Sequence, residues 1–156
     1  FLDQIFPLIQ KKMPAAELEI TGSTNGVDLR GLKLDQHIRL TGFVEDIRPV
    51  VAGAWACVVP LRQGSGTRLK ILEAMALGTP VVSTSKGAEG LQVTPEEDIL
   101  IADDPASFAR QVVRLLGDAS LRSRLAENGR RLVEQKYSWK QIGQDFCRLV
   151  EAAARH

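Results

Sequence analysis

Residues 58–84 read VVPLRQGSGTRLKILEAMALGTPVVST. A short apolar run, Trp55 to Val59, stops at Pro60, and a loop bearing Gly64 and Gly66 follows it. The stretch from Thr67 to Leu77 then has a helical pattern, closed by Gly78 and Pro80, before a second apolar run from Val81 to Thr84. The order is strand, glycine loop, helix, strand. Such a unit brings free backbone N–H groups and the positive end of a helix dipole to the carboxyl edge of a sheet, where an anion such as a diphosphate binds.

Outward from this unit, the α/β alternation continues on both sides. Phe1, Ile5, Phe6 and Ile9 follow helical spacing up to Pro14, and Leu18 to Thr21 forms a strand leading into Gly22 and the turn Asn25-Gly26. His37 to Thr41 is a strand ending at Gly42, Glu45 to Val51 a short helix, and Ile99 to Ala102 a last strand. Five short strands separated mostly by helices predict an α/β fold, a Rossmann-like parallel sheet with helices on both faces. The last third is a helical run. Asp104 caps one helix with Pro105 at its first position, Ser120 begins another, and Ser138 caps a third whose Trp139, Ile142, Phe146 and Leu149 share one face.

Composition narrows the classes. A chain of 156 residues suffices for one domain, and 44% hydrophobic with 25% charged residues is ordinary for a globular protein. The net charge of +1 gives no electrostatic footprint for nucleic acid. Cys57 and Cys147 are far apart and in no metal-ligand spacing, and a Cys inside an apolar strand suits a reducing compartment. No apolar run approaches the roughly 20 residues of a membrane span. The chain opens inside an amphipathic pattern with no cap and no Met, so it reads as a piece of a larger protein.

Each candidate site residue has two readings. Gly64 and Gly66 let the backbone approach a ligand, Ser65 and Thr67 add hydroxyl donors, and Arg68 and Lys70 add charge. Those cations oppose the dipole at a helix start, which suggests an anion that compensates them. The alternative is a tight turn whose glycines serve packing alone. Glu73 suits the two vicinal hydroxyls of a ribose, or else pairs with Lys70 on a solvated face. Lys86-Gly87-Ala88-Glu89-Gly90 is a second glycine loop at a carboxyl strand end, or a plain connection. Phe43, in the loop Gly42-Phe43-Val44, either stacks on a base or joins the core. His37 carries no catalytic role, and no Ser/His/Asp arrangement or metal-ligand cluster is visible.

With these residues in place, PLRQGSGTRLKILEAMALGTPVVSTSKGAEGL resembles the donor-binding segment of the GT-B glycosyltransferases, in particular the group-1 or family-4 retaining enzymes. RLTGFVEDI, EGLQVTPEEDILIADDPASFARQVVRLLGD and the closing KYSW resemble the same family, so the likeness covers nearly the whole chain. It implies half of a GT-B architecture: residues 1–156 as the C-terminal domain that binds a nucleotide sugar, lacking its first strand, with the N-terminal acceptor domain absent. It implies transfer of a sugar from a nucleoside diphosphate sugar to a glycan or lipid-linked acceptor, without a metal or other cofactor, in a fragment that retains weak nucleotide binding but no transferase activity. Glu73 matches the second glutamate of the family's Glu-x7-Glu element, which holds the ribose, while the first falls on Ser65, a departure that leaves the sugar open. Gly64, Ser65, Gly66 and Thr67 match the turn facing sugar and phosphate, Arg68 and Lys70 are candidates for its cationic part, and Val44 matches the region that meets the base. The expected setting is cytoplasmic, with some full-length relatives docked on the inner membrane face, and the association is with cell-envelope polysaccharide building. Another GT-B-type enzyme, such as a nucleotide-sugar epimerase or a phosphorylase, and a non-catalytic α/β interaction module are the competing readings.

Overall fold

The computed structural model describes residues 1–154; His156, which the sequence leaves without a role, lies outside them. In chain order the elements are α1 (Phe6–Lys12), β1 (Leu18–Thr21), β2 (Ile38–Gly42), α2 (Arg48–Gly53), β3 (Cys57–Val59), α3 (Leu69–Ala76), β4 (Val81–Ser83), β5 (Leu100–Ile101), α4 (Pro105–Gly117), α5 (Ala119–Leu132), a π-helical turn (Val133–Tyr137) and α6 (Trp139–Ala153). Among the described residues all strand pairing is parallel. The five strands form two hydrogen-bonded groups, a pair β1-β2 and a triplet β3-β4-β5.

Strand β4 is the centre of the triplet and is wholly buried, because its side chains alternate between two packed faces. Val82 joins a cluster with Ile5, Phe6 and Ile9 of α1, Phe108, Val112 and Leu115 of α4, and Leu121 and Leu125 of α5. Val81 joins the opposite cluster with Ile71, Ala74 and Met75 of α3, Ile99 and Leu132. Helices therefore cover both faces. Leu18 and Ile38, from the β1-β2 pair, pack against the first cluster beside Ala56 and Val58, so both strand groups lie on one core.

Local chemistry sets the helix ends. Gly78 takes φ +77, and the amides of Gly78 and Thr79 donate to the carbonyls of Met75 (3.0 Å) and Ala74 (2.8 Å), closing α3 with a Schellman motif. Asp104 accepts from the amides of Ala106 (3.1 Å) and Ser107 (2.9 Å), and Ser138 accepts from Gln141 (3.3 Å), both at the positions their sequence context indicates. The Ser107 hydroxyl and these amides hold the Asp104 carboxyl below its ordinary value. A depressed carboxylate contributes stability above its unfolded pKa and loses it as pH falls through the folded one. Asp104→Ala is therefore expected to lower Tm by a few degrees at neutral pH, with the deficit shrinking on acidification; thermal melts across pH check it.

The second closing helix starts one residue before the expected Ser120, because Asp118 accepts from the Leu121 amide at 2.9 Å and takes the cap. The π-helical turn between α5 and α6 has no sequence signal in the apolar spacing. It places the Tyr137 hydroxyl where it accepts from the Gln92 amide at 2.7 Å. The apolar face of α6 forms but is not covered: Trp139 is 88% exposed, Leu149 69% and Phe146 65%. A shallow groove of about 550 Å³ along that helix is lined by α6 residues alone, Trp139, Gly143 and Cys147 among them, and includes none of the glycine-loop residues. Among the described residues no helix is long and apolar enough to cross a membrane.

Candidate functional site

Because β3, β4 and β5 are parallel, the loops that follow them share one edge. Three sets of contacts tie those loops together. Thr84 donates its hydroxyl to the Leu61 carbonyl and accepts from the Gly87 amide at 2.9 Å, which fastens the loop after β4 to the loop after β3. Ser85 donates from its amide and its hydroxyl to Asp103, both at 2.7 Å, which fastens the loop after β4 to the loop after β5. Arg68 Nη2 donates to Glu89 Oε2 at 3.1 Å and to the Gly64 carbonyl at 3.4 Å, a third tie between the first two loops.

Packing explains why Gly87 is glycine. A Cβ there would collide with Ser83 Oγ and lie 2.9 Å from the Val59 carbonyl oxygen. Ser83 is fully buried and donates to the carbonyls of Thr84 (3.0 Å) and Val59 (3.3 Å). The second loop thus sits directly on the carboxyl end of β3.

The loop between β3 and α3 takes an unusual backbone. Gly64 and Gly66 have φ +131 and +115, and Arg68, at the N-cap of α3, has φ +57. A left-handed Arg is uncommon and is held there by its surroundings. Among the described residues, no backbone N–H from Gly64 to Lys70 donates a hydrogen bond to protein. These amides converge on the N-terminus of an eight-residue helix, where partial positive charge gathers.

The side chains divide. Lys70 and Glu73 are exposed on α3 and form neither an ion pair with each other nor one with any other described residue, so the Lys70–Glu73 pairing open from the sequence is not formed. Arg68 is turned inward: its side chain is only 7% exposed and its charge lies against Glu89. Arg68 Nε is buried without a hydrogen-bond partner. Ser65 and Thr67 are exposed in the loop. Val44 is half-buried after Gly42, at the end of the β1-β2 pair rather than the triplet, and Phe43 beside it is 80% exposed instead of joining the core. Cys57 is half-buried, and burial pushes its thiol up, with the Lys70 charge a smaller opposing influence.

Lys86 and Glu89 were legible as a glycine loop at a strand end, but not as partners of the first loop. Lys86 Nζ meets the same Glu89 oxygen at 2.6 Å, so two cations share one carboxylate. Lys86, by hydrogen bond and by charge, and then Arg68 hold the Glu89 carboxyl below its ordinary value. Among the described residues no group of three or more His, Cys, Asp and Glu is placed to hold a metal ion.

Parallel strands in two groups on one core, with helices on both faces of the triplet, define the class, a Rossmann-like α/β domain. The pattern of the family described as "Glycosyl transferases group 1" matches residues 1–118, and the chain belongs to that family. It is 31% identical over 121 residues, 76% of its length, to the lipopolysaccharide core biosynthesis glycosyltransferase LpsE of Rhizobium meliloti, of which it covers 35%. It is 30% identical over 154 residues, 95% of its length, to the phosphatidyl-myo-inositol mannosyltransferase of Mycobacterium leprae, of which it covers 41%. The chain thus spans about two fifths or less of these relatives. Among solved structures, it superposes with a TM-score of 0.72 and 25% identity on the C-terminal domain of the group 1 glycosyl transferase LpcC of Francisella tularensis, covering 85% of this chain and 75% of that one. HepE of Anabaena in complex with UDP shares the fold, with a TM-score of 0.79 at 17% identity over 94% of this chain and 44% of that one. The expected Rossmann-like half of a GT-B glycosyltransferase is the observed fold, with its strands in two groups.

Proposed function

We propose that this chain is the donor-binding half of a glycosyltransferase that moves a glycosyl group from a nucleoside diphosphate sugar to a glycan or lipid-linked acceptor. One observation carries the reading: the amides from Gly64 to Lys70 at the start of α3 and the carboxylate of Glu73 farther along the same helix have no partner among the described residues. As the glycosidic bond breaks, negative charge grows on the β-phosphate of the leaving nucleoside diphosphate. Fixed backbone dipoles at Gly64, Ser65, Gly66 and Thr67, with the Lys70 ammonium nearby, stabilise that charge without needing to reorganise. Glu73 accepts hydrogen bonds from the ribose hydroxyls, and Val44 lies toward the base. In this reading the amides and cations serve the role a metal ion fills in other transferases, and no cofactor is used. The retaining course follows from the family resemblance alone.

The domain reading rests on the sheet. In the doubly wound strand order 3-2-1-4-5-6, the first strand separates the second and third from the fourth. The division into a pair, β1-β2, and a triplet, β3-β4-β5, supports a missing first strand at that place. The exposed apolar face of α6 supports a further domain of the same polypeptide, the acceptor domain, packed against it. A cytoplasmic setting at the inner membrane face, in envelope polysaccharide building, accords with a relative named for lipopolysaccharide core biosynthesis. An epimerase, a phosphorylase or an interaction module finds no comparable support.

Calorimetry of the chain with UDP, GDP and ADP at millimolar concentration tests the reading. Saturable heat with at least one of them, without sugar transfer by the isolated chain, is the expected result. No heat with any of the three, from a chain with a folded circular-dichroism spectrum, would remove the donor-site reading.

A further inference from the structure

The donor-site reading takes its phosphate contacts from the first loop alone, yet the strongest charge constellation at this edge spans two loops. Glu89, 57% exposed on the loop after β4, accepts from Arg68 at 3.1 Å and from Lys86 at 2.6 Å through one oxygen. Arg68 is the left-handed residue at the turn into α3, and its side chain is only 7% exposed. A buried guanidinium needs its counter-ion: withdrawing one partner strands the other charge in a poorly solvated place. Glu89 is the only carboxylate within ion-pair distance of Arg68 among the described residues. The loop that bears Glu89 cannot drift, because Gly87 sits against the Val59 carbonyl and Thr84 ties it to Leu61.

A second observation concerns the same side chain and marks it as held under strain by its surroundings. Arg68 Nε is a charged donor, buried, with no acceptor among the described residues. Orphan donors of this kind are rare in folded proteins and mark either strain or an absent acceptor. Arg68 has five N–H donors, and the protein contacts engage Nη2 alone.

We propose that Glu89 is a positioning residue for the phosphate site: it pins Arg68 between the two loops, so that the amides from Gly64 to Lys70 are held in place for an incoming phosphate. Lys86 gives the same edge a second cation. The proposal rests on the donor-site reading and extends it from one loop to two.

The test is calorimetric titration of the full chain with whichever of UDP, GDP and ADP binds, and in parallel with the matching nucleoside, which carries no phosphate. Glu89→Gln keeps the size of the side chain and removes its charge. The expected result is a roughly 5- to 20-fold loss of affinity for the diphosphate and unchanged affinity for the nucleoside, measured at a temperature where circular dichroism shows both chains folded, since stranding the Arg68 charge also lowers the melting temperature. Glu89→Asp, which restores the charge on a shorter arm, is expected to recover part of the loss. Diphosphate affinity equal to or tighter than wild type in Glu89→Gln, while Glu73→Ala still weakens binding, would overturn the proposal and leave the donor site standing; the tighter outcome would make Glu89 a competitor of the phosphates. An equal loss for diphosphate and nucleoside would also overturn it, as general loosening of the loops. A wild-type chain that binds none of the three nucleotides removes the proposal together with the donor site.

Discussion

Replacing Gly87 with alanine is expected to cost about 3 kcal/mol of folding stability and to lower Tm by roughly 6–12 °C in a chain of this size. The new methyl would have to share space with Ser83 Oγ and with the Val59 carbonyl oxygen, 2.9 Å from the ideal Cβ position. Neither can yield. Ser83 is fully buried in the central strand, and the Val59 carbonyl belongs to the backbone of β3. Relief would require moving the loop after β4 away from β3, which breaks the contacts of Thr84 with Leu61 and Gly87. Gly129 is the control. It is also buried, but the atom nearest a new Cβ is Met75 Cγ at 3.0 Å, part of a flexible side chain, and alanine is the better helix former by about 1 kcal/mol. Gly129→Ala is expected to leave stability within about 1 kcal/mol of wild type. Denaturant titration of both variants decides the matter, and equal stability of Gly87→Ala and wild type would contradict the rigid two-loop platform.

Glu73→Ala is expected to weaken nucleoside diphosphate binding by about 10- to 100-fold. At an exposed carboxylate, two hydrogen bonds from ribose hydroxyls are each worth about 0.5–1.5 kcal/mol net, together about 1–3 kcal/mol, and every 1.4 kcal/mol is tenfold in affinity. The fold should be indifferent to the change: Glu73 is exposed and has no ion-pair partner among the described residues, and alanine suits a helix. A matched pair of ligands isolates the cause. Wild type should prefer the ribonucleotide over its 2′-deoxy counterpart, and Glu73→Ala should bind both alike. If the variant keeps the preference, the pentose is held elsewhere and α3 does not carry the role given to it.

Glu73 and Arg68 also show how differently two residues of one motif can be read. For Glu73 the sequence left two options, and the unpaired exposed carboxylate removes the Lys70 one. For Arg68 the sequence supplied a cation at the helix start, and the fold turned that cation inward onto a carboxylate 21 positions away. Helical spacing cannot announce such a partner, because the pairing depends on two loops being brought side by side by parallel strands. The same holds for Ser85 with Asp103 and for Thr84 with Leu61. These ties make the site edge rigid, and each joins loops that local pattern leaves independent.

Local interactions made much of the chain legible from its residues alone. The strand, glycine loop, helix and strand of residues 57–83, the stop at Gly78 and the caps at Asp104 and Ser138 all depend on neighbours within one turn, so short-range chemistry is enough to specify them. Strand identity came from apolar runs and punctuation, and so did the parallel α/β class. Only the tertiary structure decided the division of the five strands into a pair and a triplet, since hydrogen-bonded neighbours are chosen by packing across the whole sheet. It alone decided that the apolar stripe of α6 faces outward, although periodicity is the same whether a face is covered or bare. And it alone joined Lys86 and Glu89 to Arg68, because the position of a counter-ion across space is fixed by the fold and not by spacing along the chain.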